Sequence, residues 1–153
     1  ALVHFISASG VREGFSEELR IKDMQNFKDG CKSVKVYADS KGEYYTFIHQ
    51  EAVQALEEYF EYRTRQGEKL TPDSWVFVSA LNPNQPMNTN LISSWFSKIV
   101  KRAGVDRGEC IDNRYDIQIV YGMRKRWNTI FKNNIRLSLS IANIKSTLKF
   151  GVS

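Results

Sequence analysis

Apolar residues recur at helical spacing near the start of the chain. Residues 1–9, ALVHFISAS, are mostly apolar and predict the second half of a buried helix, which the pair Ser9-Gly10 ends. The stretch EELRIKDM, residues 17–24, predicts a second helix that ends in a loop. The predicted buried positions around it are Phe15, Leu19 and either Ile21 or Met24.

Two later stretches predict longer amphipathic helices. The first starts at residues 49–51 and runs through EAVQALEEYFEYRTRQG, where apolar residues recur every third or fourth position. The second, LISSWFSKIVKRAGV, follows a predicted cap at Thr89-Asn90 and ends at Ala103-Gly104. The predicted apolar positions are Val53, Leu56, Tyr59 and Phe60 in the first helix and Leu91, Trp95, Ile99 and Val100 in the second.

One stretch between these helices has the composition of strands. Aromatic and β-branched residues in SVKVYADSKGEYYTFI favour strands, and Asp39-Ser40-Lys41-Gly42 is typical of a turn. The predicted hairpin pairs residues 33–38 with residues 43–48 and places Lys41 at its tip or shoulder. Together the elements predict an α+β fold, mainly α-helical, with a small antiparallel sheet. Because no linker or repeat interrupts the chain, residues 1–153 are expected to form a single domain.

Composition excludes several classes of function. The 153 residues are 42% hydrophobic and 25% charged, with a net charge of +5, which is typical of a globular domain and admits a polyanionic partner. The two cysteines and two histidines lack metal-ligand spacing, so we expect no metal, no cofactor and no disulfide framework. No apolar run approaches the ~18 residues of a membrane span and no signal peptide is visible, which predicts a cytoplasmic protein without membrane contact.

The segment VYGMRKRWNT, residues 120–129, gathers three cations and a tryptophan around one glycine. Each cation taken alone is typical of a solvated surface, and Trp127 is expected to pack its helix against the core. The order of motifs along the chain is more specific. S-G-V-R is followed by L-R-x-K-D-M, a hairpin with a turn lysine, two amphipathic helices and finally Y-x-x-R-K.

Over residues 3 to about 134, this order resembles the catalytic domain of the tyrosine recombinases, the phage integrase family. Within that family it is most similar to archaeal integrases. The family pattern reads roughly T-G-L-R and, seven residues on, L-R-W-x-D-I; Arg12 and Leu19 occupy those places. Lys41 corresponds to the family's hairpin lysine. The family's H-x-L-R-[HK] box corresponds to YGMRK, which puts Arg124 on its arginine.

The resemblance implies a partner and a reaction. It implies binding to double-stranded DNA, and strand breakage and rejoining through a 3′-phosphotyrosyl intermediate without a metal. Arg12 and Arg124 would hold the scissile phosphate, because planar guanidinium groups suit its two nonbridging oxygens. Lys41 would donate the proton to the leaving 5′-hydroxyl. Further DNA contacts are expected from Lys98, Lys101, Lys125 and Arg126, although cations at a helix C-terminus also favour its dipole.

Two positions and one absence depart from the family pattern. Tyr121 stands where the second box has histidine; a tyrosine can hydrogen-bond a phosphate but is a poor base at neutral pH. Phe15 stands where an acidic residue is usual, and Glu13 either replaces it as a partner of Arg12 or is exposed. After Arg124 the chain has no tyrosine, so no family-type nucleophile is recognised. Tyr121 remains a catalytic candidate on the same helix turn as Arg124.

These departures leave three hypotheses about function. The first is a recombinase catalytic domain truncated at both ends, a monomer in isolation whose full-length relatives form tetramers on paired DNA sites. It would be cytoplasmic and nucleoid-associated, and inactive in cleavage as it stands. The second is a degenerate relative that binds DNA without chemistry. The third is a helical interaction domain with no DNA role, whose basic excess is incidental.

Overall fold

The computed structural model describes residues 1–80, 82–111, 114–115 and 118–149, with the backbone alone described for 114–115 and 135–149. Residues 150–153, at the end of the sequence, lie outside the described residues. In chain order the elements are α1 (Leu2–Ser9), β1 (Met24–Asn26), β2 (Lys32–Val36), β3 (Tyr44–Ile48), α2 (Gln50–Arg65), α3 (Thr89–Arg102), β4 (Cys110–Ile111), β5 (Arg114–Tyr115) and α4 (Ile119–Lys149). The predicted class, α+β and mainly helical with a small antiparallel sheet, is confirmed.

Helix α1 lies at the centre of the fold. It contacts α2, β3 and α4, which it can do because most of its circumference is apolar. The Phe5 ring, fully buried, stacks on Phe15 with 5.2 Å between centroids and meets Phe77 edge-on at 5.4 Å. Gly10 ends the helix, as the sequence predicts.

The predicted hairpin is confirmed and gains a third strand. Strands β2 and β3 pair in antiparallel fashion with Val34 opposite Thr46 and Val36 opposite Tyr44. Val34 and Val36 face the core, while the alternate residues of β3, Tyr45 and Phe47, are exposed. Strand β1, which the sequence did not reveal, pairs with the other edge of β2.

The helix predicted for residues 17–24 is wrong. Short 3₁₀ turns at Glu13–Glu17 and Ile21–Asp23 occupy this region, and β1 follows directly. The backbone here bonds to a distant loop instead of to itself: the Ile21 N–H donates to the Ser74 carbonyl at 3.0 Å. The predicted burial of Phe15 and Leu19 is confirmed.

The buried stripe of α3 differs from the predicted one. Ile92 and Phe96 are buried, whereas Leu91 and Trp95 are 39% and 45% exposed. The cap also moves, because the Asn88 side chain accepts the Leu91 N–H at 2.9 Å. The apolar residues at 91, 95 and 99 and those at 92, 96 and 100 form two adjacent stripes at four-residue spacing. Packing of α3 against the turn at Glu13–Glu17 buries the second stripe.

Helix α2 matches its prediction closely, except for one buried cation. Arg63, in its last turn, is only 3% exposed. Its guanidinium holds both carboxylate oxygens of Glu68 at 2.7 and 2.5 Å, and Nη1 donates to the carbonyls of Trp75 and Val76 at 2.7 and 3.0 Å. Arg63 therefore ties α2 to the buried segment that follows it.

We predict that Arg63→Met lowers the free energy of unfolding by about 3 kcal/mol, because it leaves Glu68 and two carbonyls without their donor. The matched control is Arg65→Met, which removes an exposed cation from the same helical turn. Urea denaturation followed by circular dichroism measures both values. Equal losses in the two variants would contradict a structural role for the Arg63 network.

Candidate phosphate-binding site

The C-terminal end of α1 is the point where three elements meet. Gly10 has a left-handed backbone, with φ 61° and ψ 26°, and its N–H donates to the Ile6 carbonyl at 3.0 Å. The carbonyls of the last two residues, Ser9 and Gly10, accept hydrogen bonds from side chains of other elements. Ser9 O accepts from Thr46 Oγ1 of β3 at 2.7 Å, and Gly10 O accepts from Arg124 Nη1 of α4 at 2.6 Å. Side chains thus satisfy helix-end carbonyls that would otherwise lack partners.

The Trp127 ring lies directly over Gly10. A Cβ atom at position 10 would lie 2.7 Å from Cδ2 of Trp127, closer than carbon atoms can approach. The indole also stacks on Phe131, with 5.0 Å between centroids and an angle of 8° between planes. Glycine is required here for two independent reasons, its backbone conformation and this contact. Trp127, which the sequence predicts to pack its helix onto the core, is half-buried and packs α4 against the end of α1.

Arg124 is half-buried and oriented by the Gly10 carbonyl. A cation at this place also favours the negative end of the α1 dipole. A guanidinium has five N–H donors, and one of them bonds to Gly10. Among the described residues, no carboxylate pairs with Arg124, so the other donors remain available to a ligand.

Arg12 follows Gly10 by two residues and is held by its neighbours. Val11 is fully buried, Phe15 is 1% exposed, and the Phe15 N–H donates to the Arg12 carbonyl at 3.1 Å. The Arg12 side chain itself is exposed. Glu13 is half-buried and forms no ion pair with Arg12 within the described part of the chain.

Tyr37, which follows β2 directly, reaches the same place from the sheet. Its hydroxyl lies against the turn after Arg12: a Cβ at Gly14 would be 3.4 Å from the Tyr37 hydroxyl oxygen. Burial raises the pKa of the Tyr37 phenol and the neighbouring Tyr44 adds to the rise, while the charges of Arg12 and Arg124 both act to lower it. One phenol therefore lies within the electrostatic reach of both arginines.

Lys41 lies in the turn that connects β2 to β3. The turn is ordered by Lys35, whose Nζ lies 3.2 Å from Asp39 and 3.0 Å from Glu43. The Asp39 N–H donates to Glu43 at 2.8 Å, and this bond, with that from Lys35, lowers the pKa of the Glu43 carboxyl. The Lys41 side chain is exposed, and no described contact joins it to either arginine.

The other sequence-predicted residues make no described contact with Arg12 or Arg124. Tyr121 is 53% exposed, and the Lys125 Nζ lies 4.9 Å from its ring centroid. Arg126 is exposed on α4, and Lys98 and Lys101 are exposed on α3. The structure therefore brings Arg12 and Arg124 together at the end of α1 and leaves the remaining predicted cations exposed on other parts of the surface.

Two features are absent from the part of the chain that the structure describes. No group of three or more His, Cys, Asp or Glu side chains there is arranged to hold a metal ion. No helix in the described ranges is long and apolar enough to cross a membrane.

The sequence over residues 1–118 matches the family model described as the phage integrase family. The chain belongs to the phage integrase family. Solved structures with the same fold include XerA recombinase, 21% identical with a TM-score of 0.64, covering 87% of this chain and 43% of that one. No curated protein matches the sequence.

Two further neighbours are XerH site-specific recombinases crystallised with DNA. The complex with palindromic difH substrate after cleavage is 15% identical, with a TM-score of 0.65, and covers 88% of this integrase-family chain and 34% of that chain. The complex with difH substrate before cleavage is 16% identical, with a TM-score of 0.63, and covers 87% and 34%. The integrase-family chain thus spans between a third and a half of the length of these recombinases.

Sequence reasoning missed Tyr37 among the residues of this site. Its only sequence signal is a tyrosine at the end of a predicted strand, which is ordinary strand composition. Its place beside Gly14 depends on how the end of β2 packs against the turn at Glu13–Glu17, and its positive φ of 53° depends on the hairpin turn itself.

We predict that Gly10→Ala lowers the free energy of unfolding by about 3 kcal/mol and shifts the Trp127 fluorescence to longer wavelength, because the new methyl group displaces the indole. The control is Gly67→Ala, which also has positive φ (89°) but meets no atom within 4 Å. Gly67→Ala is expected to cost about 1–2 kcal/mol and leave the emission unchanged. Equal losses in urea unfolding would show that the contact with Trp127 adds nothing.

Proposed function

We propose that this integrase-family chain binds double-stranded DNA by clamping one backbone phosphate between Arg12 and Arg124. The observation that carries the proposal is the bond from Arg124 to the Gly10 carbonyl. That bond orients the Arg124 guanidinium at Gly10, two residues before Arg12. It uses one of the five N–H donors, so the others can bind a phosphate oxygen. The XerH neighbours, crystallised with DNA substrates, support double-stranded DNA as the ligand.

The chemistry that such a clamp serves is phosphoryl transfer to a tyrosine. Attack by a phenolate oxygen forms a P–O bond and breaks the bond to the 5′-oxygen, and negative charge develops on the two nonbridging oxygens. Two guanidinium groups stabilise that charge without a metal. Lys41, exposed on an ordered turn, is proposed to give its proton to the departing 5′-oxygen.

Tyr121 has a narrower proposed role. It is exposed one helical turn before Arg124, so its hydroxyl is placed to hydrogen-bond DNA. The exposed Lys98, Lys101, Lys125 and Arg126 are proposed to contact neighbouring phosphates. Because it binds DNA, the chain would be located at the nucleoid. We propose that it is a monomer in isolation and that only its longer relatives form tetramers on paired DNA sites.

A second function, DNA binding without strand breakage, is favoured by two features. Phe15, at the place of an acidic residue, is stacked in the core and contributes nothing to the site. All seven tyrosines of the chain precede Arg124, so residues 125–153 contain no tyrosine nucleophile. The phosphate clamp serves both functions, and covalent attachment to DNA separates them.

We predict that Arg12→Ala and Arg124→Ala each weaken binding of a short fluorescent DNA duplex roughly tenfold and reduce the slope of log K against log salt by about one, because each removes a phosphate contact. Arg65→Ala is the matched control, since it removes one exposed positive charge from α2. Fluorescence anisotropy between ~50 and ~200 mM salt measures both quantities. Arginine variants that bind like the control would refute the clamp, and the helical interaction domain would become the better reading.

We predict that the 153-residue chain forms no covalent adduct with nicked duplexes of randomised sequence, because no tyrosine follows Arg124. Adducts are detected as slow-migrating bands on a denaturing gel. An adduct that persists in Tyr45→Phe but disappears in Tyr121→Phe would identify Tyr121 as the nucleophile and overturn this expectation.

A further inference from the structure

Tyr37 is held in a backbone conformation that its side chain does not favour. Its φ is 53°, in the left-handed region that is rare for bulky residues. Local bonds maintain the turn around it: the N–H and the hydroxyl of Ser40 both donate to the Tyr37 carbonyl, at 3.2 and 2.8 Å. Strain of this kind persists only where surrounding contacts fix it, and it is frequent at ligand sites.

The conformation turns the phenol toward the arginines. The ring lies beside Tyr44, with 6.1 Å between centroids, and the hydroxyl lies against the backbone of Gly14 in the turn that Arg12 begins. A Cβ at position 14 would meet that hydroxyl at 3.4 Å, an ordinary van der Waals distance, so the hydroxyl packs closely beside Gly14.

The hydroxyl has no partner of its own in the described part of the chain. No described side chain or backbone group forms a hydrogen bond with the Tyr37 hydroxyl, so its O–H can donate to a ligand. The adjacent Tyr44 hydroxyl is also unpartnered, but it is buried and closed to solvent. Of these two phenols, only that of Tyr37 is open to a ligand.

We propose that the Tyr37 hydroxyl is a third ligand of the phosphate held between Arg12 and Arg124, donating a hydrogen bond to one of its oxygens. This proposal rests on the proposed function, since it assumes the same anion. A phenol is protonated at neutral pH, and burial raises the pKa of Tyr37 further, so it acts as a donor and not as a base. A neutral donor completes the coordination of an oxyanion without adding charge.

The test compares Tyr37→Phe with Tyr44→Phe, which makes the same chemical change one ring away, where the hydroxyl cannot reach solvent. Binding of the short fluorescent duplex is measured across the same salt range. Tyr37→Phe is expected to weaken binding roughly tenfold at every salt concentration, the effect of losing one hydrogen bond to a charged group. Because a phenol releases no counterion, the salt slope is expected to stay at the wild-type value. Tyr44→Phe is expected to bind as the wild type does.

Each other outcome overturns the inference in a recognisable way. If Tyr37→Phe binds normally while Arg12→Ala and Arg124→Ala do not, the inference fails and the clamp stands. If Arg12→Ala and Arg124→Ala also bind normally, both the inference and the proposed function fail. If Tyr44→Phe weakens binding as much as Tyr37→Phe, or if the melting temperature of Tyr37→Phe falls well below that of Tyr44→Phe, Tyr37 is a packing residue.

Discussion

The contact between Gly10 and Trp127 is the constraint on which the site depends. It brings the end of α1 and the start of α4 closer than any other residue at position 10 permits. At this separation Arg124 reaches the Gly10 carbonyl, so one packing contact sets the position of one arginine. Because Arg12 lies two residues further on, the same backbone segment also positions the second arginine.

The two arginines are positioned by opposite means. Arg124 is fixed through its own side chain, which uses one donor on a helix-end carbonyl. Arg12 is fixed through its backbone, since buried neighbours on both sides anchor the 3₁₀ turn while its side chain stays exposed. Neither arginine forms a described ion pair with a carboxylate, in contrast to Arg63, whose guanidinium is fully engaged by Glu68 and two carbonyls. Burial and pairing thus distinguish the structural Arg63 from the two arginines of the proposed clamp.

The family positions that differ here have physical consequences for the chemistry. Phe15 exchanges an acidic side chain for a stacked aromatic contact with Phe5, which strengthens the core beside Arg12 and removes a charge from the site. Tyr121 is exposed and carries a phenol where the family has an imidazole. Neither change removes an arginine of the proposed clamp.

The sequence by itself determined the elements whose signal is local: α1 with its glycine stop, the hairpin around Lys41, and α2. These follow from periodicity and turn chemistry within a few residues. Motif order also pointed to Arg12 and Arg124, because each lies in a recognisable box. Only the tertiary structure decided the conformation of residues 17–24, where hydrogen bonds to a distant loop replace the predicted helix. It also decided which face of α3 is buried. It alone placed Tyr37 beside the arginines, because that neighbourhood is created by packing between segments far apart in the chain.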